Sequence, residues 1–378
     1  SALERLEQVY PMYGAQGKPS PKISLMVMES PDVTWQDMAV KHLGTMINLG
    51  ESSPVRLVML KYSEGNADLV LTFHHGVTDG IAGVFFLQDL LKLLDNPDAS
   101  IEPLTPEPEM VELIPAHIKN SFKIKMSKFG MNMGVRMIRL MEILGKKWPT
   151  ADRLVGGKHP WEHMNLTTRM FTEDQTRALV ARCKAEGTSV HAAISTAWLR
   201  ARKELIPDGK WERIVSSPVN LRGYANTGKA FGLVMSNIVV AVDCSPERDF
   251  WAVASELKQK MAKDVESGEM YAWLAQTTGM VTLSPKLAEL GMNMFFTHHP
   301  GYDFSMTNLG RLKLPNSENV NAVYGPLVNG GEQEFTVGVA THNNHLTMSF
   351  AYRDFVLSKE MGEQMTDCAV ELLWEAVR

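Results

Sequence analysis

Between Leu69 and Leu94, "LVLTFHHGVTDGIAGVFFLQDLLKLL", the apolar pattern changes period almost without a break. Leu69, Leu71 and Phe73 alternate with Val70 and Thr72, the two-residue period of a strand. After Gly80, Ile81, Val84, Phe85, Leu87, Leu90, Leu91 and Leu94 follow helical spacing, with Thr78 or Asp79 as cap. A strand that turns this sharply into an apolar helix folds the helix back onto a sheet, so the chain is expected to build α/β layers. Gly76 and Gly80 permit the tight turn that the spacing demands.

Other segments repeat the theme. A short helix is expected over residues 2–10, a strand at "KISLMVME", a helix at "TWQDMAVKHLGTMI", and a hairpin from "VRLVMLKY" to "ADLVLTFHH" turned by Glu64, Gly65 and Asn66. Five prolines and many acids between Asn96 and Pro115 read as a surface connection. A second series follows. Thr172 and Gln175 have capping-box spacing for a helix ending near Gly187, and Thr188 is placed to cap the next helix. Strands are expected at "RIVSSPVNL", "MSNIVVAVD", "YDFSMTNL", "EFTVGVATH" and "HLTMSFAYRDF", and helices at Phe250–Glu266 and Lys359–Val377. The two halves look like variations on one α/β layout, and the 378 residues are read as two domains, 1–150 and 151–378. No internal repeat of solenoid length is present.

Charge and cysteine usage narrow the function. The net charge of −5 is spread over interspersed acids and bases, which argues against nucleic acid as a partner. Cys183, Cys244 and Cys368 are odd in number and share no metal or disulfide spacing, so free thiols and a cytoplasmic location are expected. No apolar run reaches membrane-spanning length. The chain starts at Ser1 rather than methionine, which suggests a processed or engineered start.

Two adjacent imidazoles interrupt the strand end. The strand period puts His75 on one face with Leu69, Leu71 and Phe73 and His74 on the other with Val70 and Thr72, so only one ring can point at a given cavity. Core histidines bonded to backbone are the ordinary outcome, but a sharp turn with a following carboxylate suits a general base near neutral pH. A Ser-His-Asp hydrolase is disfavoured because no GxSxG elbow occurs.

"HHGVTDG" resembles the HHxxxDG signature of the superfamily of chloramphenicol acetyltransferase, nonribosomal-peptide condensation domains, plant BAHD acyltransferases and polyketide-associated acyltransferases. "SSPVNLRG", "FGLVMSNIVVAVD" and "DFSMTNLGRL" resemble its later segments, in the same order. The resemblance implies two chloramphenicol-acetyltransferase-like subdomains that form a pseudo-dimer around a central tunnel. It implies acyl transfer from a CoA or carrier-protein thioester to an alcohol or amine, with His75 as the catalytic base. His74, Asp79 and Gly80 would support the motif, Asp79 pairing with Arg222. Ser305, Thr307 and Asn308 are candidate oxyanion or tunnel residues, the alternative being that they satisfy local backbone. A small-molecule acceptor and an acyl carrier protein are the implied partners, with no tightly bound cofactor. The alternative function is a noncatalytic member of the fold that binds a hydrophobic small molecule or pigment in the tunnel.

Superfamily members usually carry a strand ahead of the helix that "ALERLEQVYPMYG" resembles. The first sheet is therefore expected to be one strand short, with a missing N-terminal fragment either still associated or leaving an open edge. His342 and His345 flank Asn343-Asn344, which suits a tight hairpin, and no third ligand suggests zinc. "THHPG" at Thr297–Gly301 reads as a loop. Lys119–Lys147 mixes bases with methionines and could line a long-chain acyl or acceptor route, contact an acidic carrier protein, touch a membrane surface, or pack as a crossover helix.

Overall fold

The structure, a computed structural model, describes residues 1–10, 22–29, 32–49, 51–62, 65–105, 108–110, 112–119, 133, 136, 140, 163–208, 210–272, 274–275, 302–329 and 335–378. The expected boundary at 150/151 and the "THHPG" loop lie outside these residues. So does the basic, methionine-rich segment, apart from Lys119 and isolated helical positions at Met133, Arg136 and Leu140.

The first half contains α1 (Ala2–Val9), β1 (Ser24–Glu29), α2 (Trp35–Leu43), β2 (Val55–Lys61), β3 (Ala67–Phe73) and α3 (Gly80–Asp95). Capping boxes start α1 at Ser1 and α2 at Thr34. β1 runs parallel to β2, and β2 pairs antiparallel with β3, giving a three-stranded sheet. Val55 and Leu57 face α1 and α3, while Val58, Leu60 and Val70 face α2 and reach Leu166 of the second half. Leu25, Met26 and Val27 on β1 are exposed.

The second half contains β4 (Met164–Met170), α4 (Glu173–Ala185), α5 (Val190–Leu205), β5 (Glu212–Asn220), β6 (Met235–Asp243), α6 (Phe250–Ser267), β7 (Phe304–Arg311), β8 (Thr336–His342), β9 (His345–Arg353) and α7 (Lys359–Val377). Its six-stranded sheet has the order β4-β9-β8-β7-β5-β6. One face carries Val215, Val240, Phe304, Met306, Val337, Val339, Met348 and Phe350 into a core shared with the helices, centred on Trp198. The Thr172–Gln175 box starts α4 as expected. At α5 the cap is Ser189 rather than Thr188, whose hydroxyl donates instead to Ala254 O at 2.8 Å.

α3 joins the halves because it is apolar on two sides. Ala82, Phe86, Leu90 and Leu93 pack into the first core, whereas Val84, Leu87 and Leu91 pack against Leu309, Leu312, Leu314 and Ala340 of the second half. The halves also share a plan. In each, a parallel strand pair is followed by an antiparallel hairpin and a capped helix: β1-β2-β3-α3 and β7-β8-β9-α7. Phe73 contacts Gly83 of α3, and Tyr352 lies against Gly362 of α7, the same ten residues apart in each half. At this offset Asp79 and Ser358, both helix caps, correspond.

Candidate active site

β3 stops at Phe73, two residues earlier than the sequence suggests. Val55 is the last partner in register, and Pro54 before it has no N–H, so the ladder ends with His74 N donating to Pro54 O at 2.8 Å. Both histidines therefore lie in the turn, and strand alternation no longer orients them. Gly76 N donates to His74 Nδ1 at 3.1 Å, and a Cβ on Gly76 would stand 2.9 Å from the His74 ring. Burial, reinforced by the neighbouring His75, holds the His74 imidazole below the ordinary histidine range.

His75 is exposed and makes a different bond: its Nδ1 lies 3.0 Å from Thr78 O. A carbonyl only accepts, so Nδ1 carries the proton and Nε2 holds the lone pair. The turn is fixed from below by Asp79, which is 4% exposed. Its Oδ1 accepts from Ala82 N at 2.8 Å and caps α3, while Oδ2 accepts from Arg222 Nη1 at 2.8 Å and Val234 N at 2.9 Å. Arg222, 5% exposed, spends its remaining donors on Asn220 Oδ1, Ala230 O and Gly232 O. All five guanidinium donors are thus engaged. Gly80 is needed for close approach: a Cβ there would meet Leu309 at 3.1 Å and Pro326 at 3.4 Å.

The structure thus brings His74, His75, Asp79, Gly80 and Arg222 to one place. The β7 residues divide. Phe304 and Met306 face the helical core, so Ser305 and Thr307 share the opposite face with Leu309, toward α3. Asn308 lies on the Met306 side, and its Oδ1 accepts from Gly310 N at 2.7 Å beside a register shift. This is the local backbone use that sequence left open. Among the described residues no hydrogen bond joins Ser305 or Thr307 to the His74–Asp79 turn.

Sequence reasoning missed Asn220, which orients Arg222 from two residues upstream, and Ser216 and Thr336, buried hydroxyls in register on either side of Ser305. Their only signal is a run of hydroxyls in otherwise apolar strands. At the expected hairpin, Asn343 and Asn344 have φ of 44° and 64°. His342 Nε2 and His345 Nδ1 bond the carbonyls of Val320 and Asn343. Among the described residues no cluster of three His, Cys, Asp or Glu could hold a metal, and no helix is long and apolar enough to cross a membrane.

Residues 162–320 match the family described as phthiocerol/phthiodiolone dimycocerosyl transferase C-terminus. No curated protein matches the chain. Among solved structures, the epimerization domain from the third module of tyrocidine synthetase B is similar at 13% identity and TM-score 0.61, covering 100% of this chain and 87% of that one. The first condensation domain of the CDA synthetase is similar at 13% identity and TM-score 0.62, with 96% and 77% covered. Polyketide synthase associated protein 5 from Mycobacterium tuberculosis is similar at 15% identity and TM-score 0.56, with 94% and 81% covered. The likeness in structure gives the chain the fold of the condensation domains, a pseudo-dimeric plan of two α/β halves.

Proposed function

We propose that the protein transfers an acyl group from a CoA or carrier-protein thioester to an alcohol or amine, with His75 as general base. The observation that carries this reading is the His75 Nδ1–Thr78 O bond, which leaves Nε2 as an available base on a turn locked by a buried ion pair. Nε2 takes the proton from the acceptor O–H or N–H as that atom attacks the thioester carbonyl. The carbonyl electron pair moves to oxygen, giving a tetrahedral oxyanion, for which the Ser305 and Thr307 hydroxyls are the candidate donors. When the carbonyl re-forms, the carbon–sulfur bond breaks and the thiolate receives the proton from Nε2. Ester or amide and free thiol result. The thioester is itself the activated group, so no resident cofactor enters the scheme.

Bromoacetyl-CoA and bromoacetyl-pantetheine test the reading, since Nε2 of a positioned base displaces bromide and the intact mass then reports one adduct at His75. His75→Ala is expected to abolish that adduct and to lower acyl transfer by about 10²–10⁴-fold. Because the ring is exposed, stability should change by no more than about 0.5 kcal/mol. His74→Ala, which loses the Gly76 bond and partial burial, is expected to cost about 1 kcal/mol and to affect transfer less. Labelling at His74, or full transfer by His75→Ala, would overturn the assignment. A tight hydrophobic ligand with no transfer in any variant would favour the binding alternative.

A further inference from the structure

The halves meet at more than one ion pair. Residues 221–234 run from the end of β5 toward β6 and lie along one flank of α3 as a strap. Arg222 near its start pairs with Asp79 at the N-cap of α3. Lys229, farther along the strap, donates to Asp89 Oδ2 at 2.7 Å, ten residues along the same helix. Asp89 is 5% exposed, and the same oxygen accepts from the Tyr10 hydroxyl at 2.6 Å. Phe85 lies between the two acids, with Arg222 Cζ 5.5 Å and Lys229 Nζ 5.9 Å from its ring centre. Phe231 of the strap is buried in the first-half core, edge-on to Tyr10 at 4.8 Å. Thr105 N donates to Lys229 O, which ties the strap to the segment that follows α3.

We propose that Lys229 is a positioning residue, the outer of two pins that fix the angle of α3 and thereby the placement of the His75 turn against the second half. The inference rests on the reading of His75 as general base. Ten residues of helix place the pins about 15 Å apart. Two pins fix the direction of the helix axis against the second half, whereas with the Asp79 pin alone the far end is set only by its apolar packing and the Tyr10 bond and can rock about Asp79. His75 stands four residues ahead of the pivot, so a rocking of about 5° moves its ring by roughly 0.5–1 Å. General-base geometry tolerates about 0.5 Å, and a 1 Å error costs on the order of 10²-fold. Loss of the outer pin is therefore expected to lower kcat by about tenfold. KM should change little, because no strap residue is placed against substrate.

The test compares Lys229→Met, Lys229→Arg and the double variant Lys229→Met/Asp89→Asn, which leaves no unpaired charge should the single variant fold poorly. Two readouts are taken well below the melting temperature: acyl-transfer kinetics, and the ¹⁵N signals of the His75 ring. Wild type should show a single Nδ1–H tautomer. Lys229→Met and the double variant should show a mixed or shifted ring signal and the tenfold loss in kcat, with Lys229→Arg restored to within about twofold. If the variants only melt earlier, with kcat and the ring signal unchanged, Lys229 is a stabilising contact and the proposal falls. If wild type transfers no acyl group, the catalytic reading fails, yet the ring signal still decides whether Lys229 holds the turn.

Discussion

Arg222→Met would leave the Asp79 carboxylate buried with two backbone donors, Ala82 N and Val234 N, and no countercharge. Ala230 O would lose both of its guanidinium donors in the same step, while Asn220 Oδ1 keeps the backbone N of residue 222 and Gly232 O keeps Asp79 N. Breaking a buried pair by removing one partner costs about 3–5 kcal/mol, and with the Ala230 carbonyl also left unfilled the expected loss is near 4 kcal/mol. That is a large share of the roughly 5–15 kcal/mol that holds an ordinary domain together. Asp79→Asn keeps an oxygen for the α3 cap but strands the guanidinium, so a loss of about 3 kcal/mol is expected. With both charges gone neither group is stranded, and Arg222→Met/Asp79→Asn should be milder than the sum of the single changes by about 2–3 kcal/mol. Urea unfolding followed by tryptophan fluorescence at neutral pH measures each corner of this cycle. Raising the salt should leave the coupling nearly intact, because a buried pair is screened far less than a surface one. A loss below about 1 kcal/mol for Arg222→Met, or strict additivity in the double variant, would show that the pair does not hold the motif turn.

Burial pushes the His191 imidazole, whose Nε2 lies 2.9 Å from Ser217 Oγ, down to about 4. An unfolded chain titrates it near 6.5, so its contribution to stability is complete above about pH 6.5 and is lost as the pH falls toward 4, amounting to about 3 kcal/mol. His191→Gln should flatten the fall of stability across that window, and an unchanged slope would contradict the assignment. On β8, Gly338→Ala would drive a methyl group into the Pro326 carbonyl and lift the segment whose Tyr324 stacks on Trp35 at 4.7 Å. A loss of about 2 kcal/mol is expected in thermal unfolding, and an unchanged melting temperature would mean the segment yields freely.

Local chemistry was the legible part. The switch from strand to helical period ahead of α3, the Thr172–Gln175 box and the paired asparagines of the β8-β9 turn each act within a few residues, so sequence carries them whole. The end of β3 was misread because the limit came from Pro54, on the neighbouring strand's side of the pairing. Thr188 and Ser189 offer equivalent hydroxyls, and only the position of Ala254 O decides which one is free to cap. The Asp79–Arg222 pair was reached through resemblance, since nothing local couples residues 143 apart. Lys229–Asp89 left no trace at all, because one lysine among many pairs with one aspartate only after the strap is laid on the helix.

The shared plan of the halves has a consequence in mass action. At the offset that matches Phe73 with Tyr352, the positions of His74 and His75 are held by Arg353 and Asp354, so the twin turn carries no imidazole. In an assembly of separate like subunits, the turn of one would meet the sheet of another only as often as concentration allows. Here the carboxylate of one half and the guanidinium of the other belong to a single polypeptide, and their encounter is intramolecular. Dilution cannot separate them, and the described residues of each chain present one imidazole turn of this kind, whatever its concentration.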